Sequence, residues 1–80
     1  MAEFKVEGVY SSIDWFTGGI HVYRCVMRDE RVVTLAPVYY EIDGVHKKNN
    51  ESFKVQSDKN GEYIVLESYK GKEHRMYANG

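Results

Sequence analysis

The chain has one cysteine, one proline, one tryptophan and almost no net charge. With Cys25 alone, no intramolecular disulfide forms, which excludes a bridge-stapled mini-domain of the secreted kind. A formal net charge of -1 gives no overall field to hold a polyanion, which disfavours a nucleic-acid function resting on bulk charge. No run approaches the roughly 18 apolar residues of a membrane-spanning helix. Met1-Ala2-Glu3-Phe4-Lys5 has no basic stretch leading into an apolar one, so the cytoplasm is the expected compartment. Catalytic, metal-binding and phosphate-binding motifs are all missing, and no cofactor is expected.

What the chain does have is turn chemistry. Asp43-Gly44, Asn60-Gly61 and Lys70-Gly71 each sit between runs rich in β-branched and aromatic residues. Glycine, asparagine and aspartate tolerate the positive φ that tight hairpins demand. Eighty residues, 42% hydrophobic, make one small domain with a single core. The fold class is therefore all-β: about six antiparallel strands in a strongly curved sheet or small barrel. SH3-like is the first architecture and OB-like the second, on size and strand count.

A first strand is expected over Phe4 to Tyr10, interrupted at Gly8 by a bulge or a close backbone approach. Ser11 and Asp14 have a capping-box-like spacing, so a single helical turn or an irregular loop should follow. Ile20 to Met27 and Val32 to Ala36 carry apolar residues on both faces, as strands covered on two sides do. Pro37 cannot donate to a ladder, and a bend is expected there. A two-residue turn at Asp43-Gly44 sets Ile42 opposite Val45 and Glu41 opposite His46. One at Asn60-Gly61 sets Val55 opposite Leu66 and Lys54 opposite Glu67. At Lys70-Gly71 a three-residue loop over 69–71 pairs Ile64 with Met76. The expected core is Val6, Ile20, Val22, Val33, Leu35, Val55, Ile64 and Leu66.

Enzymatic chemistry finds little purchase. His21 shares a strand face with Cys25, but four strand residues separate them by roughly 13 Å, too far for proton transfer. His21, His46, His74 and Cys25 lack the short paired spacings of a zinc site. Asp43 and Asp29-Glu30 belong to turns.

Three groups suit binding instead. Trp15 and Phe16 stand side by side in a connection ending in Gly18-Gly19, where a rigid aromatic can anchor a partner or plug the end of the barrel. Tyr39, Tyr40, Tyr63, Tyr69 and Tyr77 offer contact area at low entropic cost, with Tyr63 and Tyr69 on one face and Tyr77 across from Tyr63. Lys47, Lys48, Lys70, Lys72 and Arg75 make the C-terminal half weakly basic. Aromatics interleaved with cations there would suit single-stranded nucleic acid, although Glu51, Glu62, Glu67 and Glu73 dilute them. The expectation is a non-enzymatic, cytoplasmic protein-binding module, an accessory or inhibitor protein. A single-strand nucleic-acid binder and a homodimer joined by the tyrosines are the alternatives.

Overall fold

The computed structural model describes residues 2–13, 18–42, 45–46 and 49–79, with the backbone alone for 39–42 and 45–46. It is all-β. The strands are β1 (Val9–Ile13), β2 (Ile20–Arg28), β3 (Val32–Ile42), β4 (Val45–His46), β5 (Glu51–Lys54), β6 (Gln56–Asp58), β7 (Gly61–Tyr69) and β8 (Lys72–Tyr77). Among the described residues eight replace the expected six, because Val55 alone separates β5 from β6 and because the short β4 pairs independently of β5. The ladders form two antiparallel sheets. β1-β2-β3-β4, with β5 also paired to β3, makes the larger, and β6-β7-β8 the smaller. β1 lies against β8 and β5 against β7, but no ladder links the two sheets among the described residues.

The N-terminal segment departs from expectation. Residues 4–8 are no strand: the Gly8 amide donates to the Lys5 carbonyl at 2.9 Å, closing a turn in which Glu7 has a φ of 75°. Val6, expected in the core, is exposed at that turn. The turn docks on β2, since the Glu7 amide donates to the Cys25 carbonyl and the Cys25 amide to that of Gly8. Gly8 is indeed a close approach, to a side chain: a Cβ there would stand 2.5 Å from the Tyr10 hydroxyl oxygen. That hydroxyl accepts from the Lys5 amide at 2.7 Å. The strand begins only at Val9 and continues through Ser11, Ser12 and Ile13, where a helical turn or loop was expected. Pairing with β2, in the register Ser11 with Val22 and Ser12 with His21, overrides the capping pattern.

On β2 the side facing the core is the reverse of that expected. His21, Tyr23 and Cys25 point inward, and Ile20 and Val22 look out on the far face of the sheet. Apolar residues occur on both faces of this strand, so alternation alone did not choose between them. An irregularity at Val26 then turns Met27 outward. A second irregularity follows Pro37, where Val38 is the extra residue between the pairs Tyr23–Pro37 and Val22–Tyr39. The proline's other edge falls between the stretches of β3 that pair with β5 and with β4, so its missing amide hydrogen breaks no ladder bond there.

Ile42 pairs with Val45 and Glu41 with His46, as turn geometry required. At the next hairpin Asp58 pairs with Gly61, so the turn residues are Lys59 and Asn60, one earlier than expected. Neither has positive φ; Gly61, at 113°, does. Asp58 before the turn and glycine after it is the type I pattern, and the Asp58 carboxylate accepts from the Asn60 amide at 2.7 Å. Lys54 pairs with Val32 rather than Glu67, and Val55 lies outside the β6–β7 ladder. In the last hairpin Ile64 does pair with Met76, by a different route. Lys70 and Gly71, both with positive φ, make a two-residue turn, and an irregularity at Leu66 restores the register.

One core fills the space between the sheets: Phe4, Tyr10, Tyr23, Cys25, Val33, Leu35, Ile64 and Met76, with Phe53, Val55, Leu66 and Ala78 packed against it. Of the expected set, Val33, Leu35 and Ile64 are fully buried, and Val55 and Leu66 partly so. Glu62 ties the parts together. Its carboxylate accepts from the Phe4 amide at 3.0 Å and from Arg28 Nη2 at 2.7 Å.

Candidate functional site

Three places carry unusual chemistry. The first is the outer face of the larger sheet. Register sets Ile13 beside Ile20, Ser11 beside Val22, and Val9 beside Arg24, which has Ala36 on its other side. Val9, Ile13, Ile20 and Val38 are 60%, 67%, 49% and 61% exposed. A solvated antiparallel face should alternate to polar residues, and this one does not. Polar side chains gather toward the other end, where Thr34 and Ser52 share a hydroxyl hydrogen bond of 2.8 Å and Lys54 lies beside Val32. Arg24 sits 3.8 Å from Glu7 at the margin.

The second is a side-chain cluster on the outer face of the smaller sheet. The rings of Tyr63 and Tyr77 lie 5.2 Å apart, and the Arg75 guanidinium covers Tyr63 at 4.3 Å from the ring centre. Arg75 pairs with Glu73 at 2.9 Å and with Asp58 at 3.6 Å. Tyr77 donates its hydroxyl to Asp58 at 2.8 Å. The Asn60 amide and then that hydroxyl hold the Asp58 carboxyl below its ordinary value. Hydrogen bonds to Tyr77 and Glu73 keep Arg75 firmly charged. Tyr63 is thus buried beneath its neighbours, and the Arg75 charge is already matched by two carboxylates.

The third lies inside, at the seam between β1 and β8. His21 and His74 are both 2% exposed with ring centres 5.2 Å apart, and Ser12 Oγ is 2.7 Å from His74 Nε2. Ser12 Oγ is also 3.5 Å from the Arg75 carbonyl oxygen. Sequence spacing concealed this group because its members come from three strands. Cys25 lies deeper. Burial pushes its thiol above the ordinary value, opposite to what a nucleophilic thiolate needs, and Sγ faces the Met27 carbonyl at 3.4 Å. Among the described residues no three acidic, histidine or cysteine side chains are grouped to hold a metal.

Of the residues expected to bind, Trp15, Phe16, Lys47 and Lys48 lie outside the described residues. Tyr39 is placed opposite Val22 and Tyr40 opposite His21, by backbone register. Tyr63 and Tyr77 come together as expected. Tyr69 does not join them: the irregularity at Leu66 reverses the alternation, and Tyr69 pairs with Lys72 on the face that carries His74. Tyr69 is exposed, with Lys70 Nζ 5.3 Å from its ring. The cations Lys70, Lys72 and Arg75 all fall on the β7–β8 hairpin. Sequence reasoning missed Val9, Ile13, Ile20, Val22 and Val38 as a surface, although the two-sided apolar pattern of β2 was their signal.

Comparison of the chain with protein-family models, with curated proteins and with solved structures finds no match to any of them. No helix among the described residues is long and apolar enough to cross a membrane.

Proposed function

We propose that this protein is a non-enzymatic, cytoplasmic binding module, an accessory or inhibitor protein that holds a protein partner against the outer face of β1, β2 and β3. The observation that carries this reading is the contiguous exposure of Val9, Ile13, Ile20 and Val38 around Val22, where a solvated sheet would present polar residues. Trp15 and Phe16 add to it through the sequence alone, since they lie between Ile13 and Ile20, register partners at the end of this face. Two sheets that meet edge to edge at β1–β8 and β5–β7 have the proportions of an SH3-like small barrel, and that architecture belongs to the same reading.

Immobilised protein should retain its partner as salt is raised, because apolar contacts are not screened, and the Ile20→Lys protein should not retain it. Retention of nucleic acid that is released by salt and is indifferent to Ile20→Lys would favour the basic β7–β8 hairpin instead.

A further inference from the structure

One sulfur atom on the outer face of the larger sheet is open to oxidation, and its bearing on function rests on the reading just given. We infer that Met27 is a peroxide-sensitive modification site: hydrogen peroxide converts its thioether to the sulfoxide while the fold stays intact, which makes the face that holds the partner more polar.

Met27 is out of place by parity. It stands two residues after the fully buried Cys25, so regular alternation would carry it inward beside that thiol. The extra residue at Val26 shifts the register from Cys25–Leu35 to Met27–Thr34, and Met27 emerges 66% exposed. It comes out beside Thr34, whose hydroxyl meets that of Ser52, and so brings an apolar side chain to the polar end of the face.

Burial sorts the other sulfurs. Met76 is 1% exposed in the core between the sheets, so an oxidant reaches it only when the sheets part. Cys25 is equally closed off, and burial holds its thiol above the ordinary value, away from the thiolate form that reacts with peroxides. Among the described residues that leaves Met27 as the sulfur in contact with solvent.

The step balances. A thioether lone pair attacks one peroxide oxygen, an S–O bond forms as the O–O bond breaks, and the departing hydroxide takes the proton of the transferred hydroxyl and leaves as water. Sulfur loses two electrons and the peroxide gains them. A flexible apolar side chain becomes a polar one carrying a strong acceptor, which a partner covering this end of the face must desolvate. No core contact is altered, because the thioether already stands outside.

Limited treatment with hydrogen peroxide, followed by peptide mapping in a mass spectrometer, tests the selectivity. Oxygen uptake at Met27 should be at least about tenfold faster than at Met76, with unchanged circular dichroism. Comparable rates at the two residues, or oxidation of Met27 that unfolds the protein, overturn the inference. Retention on a phenyl column in ammonium sulfate then reads the apolar character of the face with no partner required. The oxidised wild type should elute earlier than the untreated protein, and the same treatment should leave Met27→Leu where it was. An unshifted wild type, or an equal shift in Met27→Leu, overturns the inference. Ile20→Lys separates it from the binding reading, because that variant should elute early with no oxidant at all. Early elution of Ile20→Lys beside an oxidised wild type that does not move overturns the role of Met27 and leaves the binding function standing. An Ile20→Lys protein that elutes with the wild type shows that the face presents no apolar surface, and overturns both.

Discussion

The imidazole of His74 and the hydroxyl of Ser12 meet at 2.7 Å across the seam between β8 and β1, so a side-chain hydrogen bond here, like that of Arg28 with Glu62, joins two sheets that share no ladder among the described residues. His21 closes the inner side of the pair, its ring edge-to-face with that of His74.

Ser12→Ala removes that bond and leaves a buried ring nitrogen facing a methyl group. The loss should be about 1 to 3 kcal/mol, the range for a buried polar group deprived of its partner. Urea denaturation measures it, and Ser11→Ala, one residue away on the exposed face, should cost far less.

The two faces of the larger sheet give an opposed pair of substitutions. Leu35→Ala empties a fully buried site and should cost about 2 to 5 kcal/mol. Ile20→Ala, half exposed, should change monomer stability by only about 0.5 kcal/mol. Thermal or chemical denaturation of the two in parallel checks the orientation of β2 as well as the core.

Gly8→Ala places a methyl group 2.5 Å from the Tyr10 hydroxyl oxygen and 3.0 Å from the Lys5 carbonyl oxygen. The ring and the turn must both shift, at a cost of about 1 to 3 kcal/mol. In a Tyr10→Phe background the nearest atom is gone, so the same substitution should cost less. A double-mutant cycle measures the difference.

Acid should act on the smaller sheet through Asp58. Its carboxyl is held below the ordinary 3.8, chiefly by the Asn60 amide and next by Tyr77, so it binds protons less readily folded than unfolded. Its stabilising effect is therefore complete above the unfolded value and is lost as pH falls below 3.8 through the folded one. Asp29, held down by the Arg31 and Val32 amides, acts in the same direction. Denaturation midpoints of Asp58→Asn should fall less steeply than those of the wild type over that acidic window.

Local chemistry made much of the fold legible. The hairpin pairing Ile42–Val45 follows from a glycine-bearing turn, that of Ile64 with Met76 was anticipated by apolar matching although the loop expected for it is not the one formed, and the burial of Val33, Leu35 and Ile64 follows from alternation. What escaped was set at a distance. The inward face of β2 depends on whether a second layer covers Tyr23 and Cys25 or Ile20 and Val22, and both sets are apolar enough to be covered. The irregularities at Val26 and Leu66 each reverse an alternation with no glycine or proline to announce them, whereas the one at Val38 falls beside Pro37, where a bend was expected. Ser11-Ser12-Ile13 reads locally as a cap and became a strand because β2 supplies a pairing edge. For the candidate site, the pairing of Tyr63 with Tyr77 was readable, but its burial under Arg75 was not, because a cation on a strand gives no sign of the ring it will cover.

Glu62 also sets an order of events. The contacts it collects span 58 residues to Phe4 and 34 to Arg28, whereas the hairpins close over a few residues each. Short loops close first, because closure entropy and folding time both grow with the length of chain enclosed. By that measure the carboxylate is a late joint, as is Ser12–His74 across 62 residues: Glu62→Gln should speed unfolding while leaving the folding rate nearly untouched, which makes this one side chain a control on the lifetime of the folded state.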